Sequence, residues 1–301
     1  MVRICTILLI LALASCNNPI TDSGNAKINQ NEKVLNASKK HIHELPPDLN
    51  EISGITFIDD SVLVAIQDEE GTLYYYNLAQ NRVIKKQNFA GQGDYEDLVK
   101  VGNDMYAITS EGIISQIKDF ESTNPVLKTF PTPLRKKNDI EGLGYDPKAH
   151  RLLIAPKEYG LDGDKTSKQI YGFDLKSMTF QMTPVYTINL ADIERQFEGD
   201  ALEETSKKFL KALGNQNMNK VFRSSAISVK ESTGDIYILS SINGLILILS
   251  PNGTLHKIIQ FNGPEYKQPE GLAFSPAGKL YVSNEGGKSG IGNILEIIHE
   301  N

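Results

Sequence analysis

The chain has 301 residues, with 37 acidic against 31 basic side chains and a formal net charge of -6. No basic stripe runs along it, and its densest cationic cluster, Arg135-Lys136-Lys137, reads as a solvated loop, which argues against a nucleic-acid partner. The only cysteines are Cys5 and Cys16, so a mature domain has no disulfide and must be held by its apolar core.

Residues 1–15 predict a lipoprotein signal peptide. Arg3 precedes an apolar run, Ile4 to Ala14, too short for a comfortable membrane span. Leu13-Ala14-Ser15-Cys16 resembles the bacterial lipobox, in which the chain is cut before Cys16 and that cysteine is lipidated; a plain signal peptide cleaved nearby is the alternative. Residues 16–35, rich in Asn, Asp, Ser and Gly, predict a flexible tether, and residues 36–301 a single domain. The expected location is the cell envelope, facing the periplasm. Asn17, where an Asp favours inner-membrane retention in some bacteria, points to the outer membrane.

Lys39 to Leu45 (KKHIHEL) is a short alternating segment closed by Pro46-Pro47. His41 and His43 share one strand face, but no third ligand lies near, so the pair is read as surface. One strand–turn–strand pattern then recurs: ISGITFIDDSVLVAIQDE from Ile52, DYEDLVKVGNDMYAITSE from Asp94, DIEGLGYDPKAHRLLIAPKE from Asp139, RSSAISVKESTGDIYILSS from Arg223 and QPEGLAFSPAGKLYVSNE from Gln268. A marker position in these copies holds Ser53, Glu96, Glu141, Ser225 and Glu270, at intervals of 43, 45, 84 and 45 residues.

A period in the low forties with period-two alternation of Val, Ile, Leu and Tyr is that of a propeller blade. The prediction is an all-β, five-bladed β-propeller. The last copy runs out after three strands, and Lys39–Leu45 supplies the missing fourth, closing the ring from the N terminus. The long interval holds Asp192 to Gly214, whose apolar spacing and terminal glycine predict a helical insertion; a sixth blade there is the alternative.

First strands line a propeller channel, so equivalent positions form rings. The marker ring carries Glu96, Glu141 and Glu270 with Ser53 and Ser225; two residues earlier stand Glu51, Asp94, Asp139, Arg223 and Gln268. Converging carboxylates repel, and a hard cation such as Ca²⁺ relieves that repulsion. Two other readings stay open: glutamates that bond backbone amides between blades, and a catalytic acid/base pair. A second acidic series ends the second strands at Asp68, Glu69, Glu111, Glu158 and Glu285, as an extension of the site or as loop chemistry. Neither Ser53 nor Ser225 has a positioned histidine, which speaks against a serine hydrolase.

At EISGITF, DYEDLV, DIEGLGYD and QPEGLAFSPAGKLYVSNE the chain resembles the SdiA-regulated family, the YjiK-like bacterial proteins, from about Leu45 to the C terminus. The resemblance implies a five-bladed propeller, distantly related to NHL-repeat propellers, with a bound calcium ion. Glu96, Glu141 and Glu270 match the repeated motif best, while Ser53 and Ser225 depart from it. The expected function is a membrane-anchored calcium-binding propeller whose channel mouth takes a small molecule or a protein partner. The alternatives are a calcium-dependent hydrolase of lactone or phosphoester type and a structural scaffold.

Overall fold

The computed structural model describes residues 34–197, 211, 217–261 and 263–299. The first strand, β1 (Val34–Glu44), precedes a four-stranded sheet of β2 (Ile52–Phe57), β3 (Val62–Gln67), β4 (Glu70–Asn77) and β5 (Arg82–Gln92). A second four-stranded sheet follows in β6 (Tyr95–Val101), β7 (Asp104–Thr109), β8 (Ile113–Lys118) and β9 (Val126–Pro131). The third is β10 (Ile140–Asp146), β11 (Arg151–Pro156), β12 (Ser167–Asp174) and β13 (Thr179–Asn189). Helix α1 (Leu190–Gln196) intervenes before β14 (Ser224–Lys230), β15 (Asp235–Ser240), β16 (Leu245–Leu249) and β17 (Leu255–Gln260). The chain ends in β18 (Pro269–Phe274), β19 (Leu280–Asn284) and β20 (Asn293–His299).

β1 joins these last two groups into one eight-stranded sheet, ordered β14-β15-β16-β17-β1-β20-β19-β18. Val34 to Asn36 run parallel to Ile258 to Gln260, and Ala37 to Glu44 then run antiparallel to β20. One N-terminal strand thus covers two sheet edges that would otherwise expose unpaired backbone groups. The closing strand is longer than the Lys39–Leu45 segment predicted for it. It starts at Val34, inside the segment read as tether, because Leu35 is buried against Tyr266 and Ile259.

The predicted insertion is helical where it is described. Asn189 and Asp192 form a capping box at the start of α1, and Leu190, Ile193 and Phe197 pack on Met218, Val221 and Phe222. The remainder of the predicted insertion, residues 198–210 and 212–214, lies outside the described residues.

Apolar side chains from facing sheets interleave into cores between them; Leu63 and Tyr76 of one sheet, for example, meet Tyr281 and Ile294 of another. The first strands β2, β6, β10, β14 and β18 touch in that cyclic order, with β18 returning to β2. Their closest approach is set by the residue after the marker: Gly54, Asp97, Gly142, Ala226 and Gly271. A Cβ on Gly54 would lie 2.5 Å from Asp97 Oδ1, and one on Gly144 2.8 Å from Ile227 O, so neither position admits a side chain. Asp97 takes the remaining space. It is 2% exposed, its Oδ1 accepts from Leu98 N and its Oδ2 from Leu143 N, both at 2.8 Å, and it also accepts from the Ile227 amide. One carboxylate therefore ties β6, β10 and β14 together. Burial pushes its pKa well up, against the three amides that favour the anion.

Each buried amide left without an acceptor costs about 1–3 kcal/mol. Asp97→Ala is therefore expected to destabilise the fold by about 3 kcal/mol or more, and Asp97→Asn, which keeps one acceptor oxygen, by less. Urea denaturation of the three chains checks the order.

Candidate functional site

In every first strand the ladder to the second strand slips at the marker. The slips fall between Ile52 and Ile55, Tyr95 and Asp97, Ile140 and Gly142, Ser224 and Ala226, and Pro269 and Gly271. A bulge frees its residue from the ladder and re-aims the side chain. Here the freed residues are Ser53, Glu96, Glu141, Ser225 and Glu270 themselves, all at one end of the strands.

The three glutamates come together, and they interact strongly. Burial, then the charge of Glu141, pushes Glu96 up to about 10 and Glu270 up to about 8. Glu141 is raised by burial to about 7, held from going further by Lys157, whose Nζ donates to Glu141 Oε1. The other oxygen, Glu141 Oε2, is buried with no donor. The two serines sit in the wall instead: Ser225 Oγ of β14 donates to Pro269 O of β18 at 2.9 Å, joining two first strands, and Ser53 is 4% exposed.

The outer row lies at the turn entering each strand, and backbone bonds fix what it faces. Asp94 O accepts from Ser110 N, Asp139 O from Lys157 N, and Gln268 O from Glu285 N. The equivalent positions on the second strands are therefore Asp68, Ser110, Lys157, Ser241 and Glu285. The second acidic series splits accordingly. Asp68 and Glu285 belong to the site: burial and the Glu51 charge raise Asp68, and burial followed by Asp68 raises Glu285 to about 7. Glu69 and Glu111, one residue further on, are exposed. Glu158 turns away to accept from Arg223 and Asn219, and Arg223 Nη2 also stands 4.0 Å from Asp139 Oδ2. Ser110 Oγ donates to Asp94, and Gln268 donates to Glu285.

Sequence reasoning missed the lysines. Lys157 stands where equivalent copies have Asp68, Ser110, Ser241 or Glu285, and that substitution in the repeat is the signal that reveals it. Lys168 is 2% exposed and donates to Lys157 O, Glu158 O and Asn219 Oδ1, fixing the end of β11. Burial lowers its pKa to about 7, while its three acceptors favour the ammonium.

The donor set suits a hard cation in its chemistry: carboxylates in excess, with Glu141 Oε2 and Asp68 Oδ1 buried and lacking donors. Its arrangement is looser, since among the described residues no three acidic or histidine side chains stand grouped to hold a metal. The Lys157 ammonium meets the charge of the inner glutamates instead.

The SdiA-regulated family model matches residues 27–287. The chain belongs to the SdiA-regulated family. Among solved structures, it is similar to Myxococcus xanthus glutaminyl cyclase at 13% identity and a TM-score of 0.57, over 89% of this chain and 97% of that one. It is also similar to the PQQ-bound aldose sugar dehydrogenase of Streptomyces coelicolor, at 13% identity, a TM-score of 0.49, and 88% and 98% coverage. The first likeness shows a shared propeller-type fold. No curated protein matches the chain.

In this SdiA-regulated protein, Glu96, Glu141, Glu270 and Glu285 hold protons at pH values where unfolded carboxylates have lost them. Their contribution is full below the unfolded carboxylate range, near 4.5, and is lost as pH rises through about 7 to 10. Lys168 acts with the opposite sign, but it is one group against four. With chelator present, the melting temperature is expected to fall between pH 5 and 9, and Glu96→Gln to flatten that fall. A melting temperature that climbs across the range would contradict the assignment.

Proposed function

We propose that the protein is a five-bladed β-propeller held at the envelope by a lipid on Cys16, whose acid-lined channel mouth binds calcium and, beside it, a small molecule or a protein partner. The blade count is supported by four-stranded groups around five first strands in cyclic contact, the fourth strand of the last group being β1. The anchor is supported by the lipobox-like Leu13-Ala14-Ser15-Cys16 and the polar segment after it, residues that lie outside those described.

The observation that carries the calcium reading is Glu141. It is 7% exposed, projects from a bulge beside two other glutamates, and keeps Oε2 without a donor. Glu96, Glu141 and Glu270 would hold the ion once Lys157 withdraws, and its charge would let all three ionise at neutral pH. Arg223 and the outer acids Glu51, Asp94 and Asp139 would then face whatever enters the mouth.

Calcium is expected to raise the melting temperature at pH 7.5 and chelator to lower it, with Glu141→Gln abolishing the response. Lys157→Met removes a competing cation and is expected to tighten calcium binding on the order of tenfold. Absence of calcium binding by titration calorimetry to both chains would overturn the reading. Cys16→Ser is expected to abolish labelling by a fatty-acid tracer and release the protein from membranes; retained label would refute the anchor.

A further inference from the structure

The first strands carry a second equivalent set, four residues past the bulge: Phe57, Lys100, Tyr145, Val229 and Phe274. With their neighbours these residues line a cavity of about 840 Å³, to which β2, β6, β10, β14 and β18 all contribute. It opens at the opposite end of the strands from the bulge glutamates, and the close-packed layer of Gly54, Asp97, Gly142 and Gly271 lies between the two. The volume falls in the range typical of small-molecule sites, roughly 300–1,000 Å³.

The lining has the character of such a site as well. Val99, Tyr145, Val229 and Phe274 are half-buried, each packed on a core from one side and facing the cavity from a different first strand. Lys100 and Lys230 come from β6 and β14, and neither ammonium has an ion-pair partner among the described residues. Glu231 is the one acidic side chain in the lining, which therefore carries two ammonium groups against one carboxylate. Apolar walls with two unpaired ammonium groups are complementary to a molecule with an apolar body and a single negative charge.

We infer that this cavity is a second binding site, for a small amphipathic monoanion: a carboxylate carried on an aromatic or short acyl body. The apolar side chains take the body, and Lys100 and Lys230 take the charge. The inference stands independently of calcium at the other mouth.

The test uses the full chain carrying Cys16→Ser, with 4-(trifluoromethyl)benzoate as probe and ¹⁹F NMR as readout. Saturable binding is expected, with the neutral 4-(trifluoromethyl)benzamide at least tenfold weaker. Reversing the charges in Lys100→Glu/Lys230→Glu is expected to weaken the benzoate at least tenfold, and Val229→Trp, which intrudes into the cavity beside Lys230, to weaken it as well. Should Val229→Trp fail to fold, the double lysine variant, at partly exposed positions, decides alone. No binding of the benzoate, equal binding of the amide, or binding that survives the lysine reversal overturns the inference.

Discussion

Strands that converge on one axis leave almost no volume for side chains where they come closest, and the rest of this molecule follows from how that volume is filled. Three glycines, an alanine and one aspartate occupy the layer, at Gly54, Gly142, Gly271, Ala226 and Asp97. The glycines let backbones meet, and the aspartate converts the leftover space into three hydrogen bonds. A larger apolar side chain at position 97 would clash with Gly54, and a smaller one would strand amides. The layer also divides the two ends of the first strands, so each can evolve its own chemistry.

Directly beside that layer each strand bulges, and the bulge explains why the marker residues matter. A backbone that must leave its ladder at this point needs only a small polar residue there, as Ser53 and Ser225 demonstrate; Ser225 finds a carbonyl and is satisfied. Glutamate at the other three bulges does more than the fold requires. It brings buried charges into mutual repulsion, leaves Glu141 Oε2 without a donor, and needs Lys157 as a counter-charge. Features that oppose stability and are confined to one concave end are characteristic of function rather than of architecture.

The architecture was legible because it is periodic. Alternating apolar runs, glycine joints and a repeat of 43 to 45 residues identify the first strands and their order. The site was legible only in part, because a bulge is a single-residue event with no composition of its own. Period-two reasoning puts Glu141 and Asp139 on one face, whereas the slip between Ile140 and Gly142 breaks the alternation at Glu141 itself, although the two carboxylates still act on each other. The second acidic series went out of register for a related reason. Asp68-Glu69, Ser110-Glu111 and Lys157-Glu158 all contain an acid, so the eye aligns the glutamates, while the backbone aligns Asp68, Ser110 and Lys157. Lys157, the residue most consequential for charge, was hidden behind Glu158 by that misalignment. Asp97 was visible as the copy that departs from glycine or alanine, but its meaning depends on a contact 46 residues away.

The same strands end in opposite chemistries, and this polarity constrains how the molecule is used. Acids cluster where the first strands begin; Lys100, Lys230 and apolar side chains surround the cavity where they end. Such a separation is not what blade packing produces, since the inter-sheet cores are apolar and indifferent to which end carries which charge. A ring of strands offers two concave surfaces at fixed separation, and here one is lined by buried glutamates and the other by apolar side chains with two lysines. Between them lies the close-packed layer of Gly54, Asp97, Gly142 and Gly271, with Asp97 hydrogen-bonded to the amides of Leu98 and Leu143. The two ends therefore present separate surfaces, each with its own residues and its own chemistry.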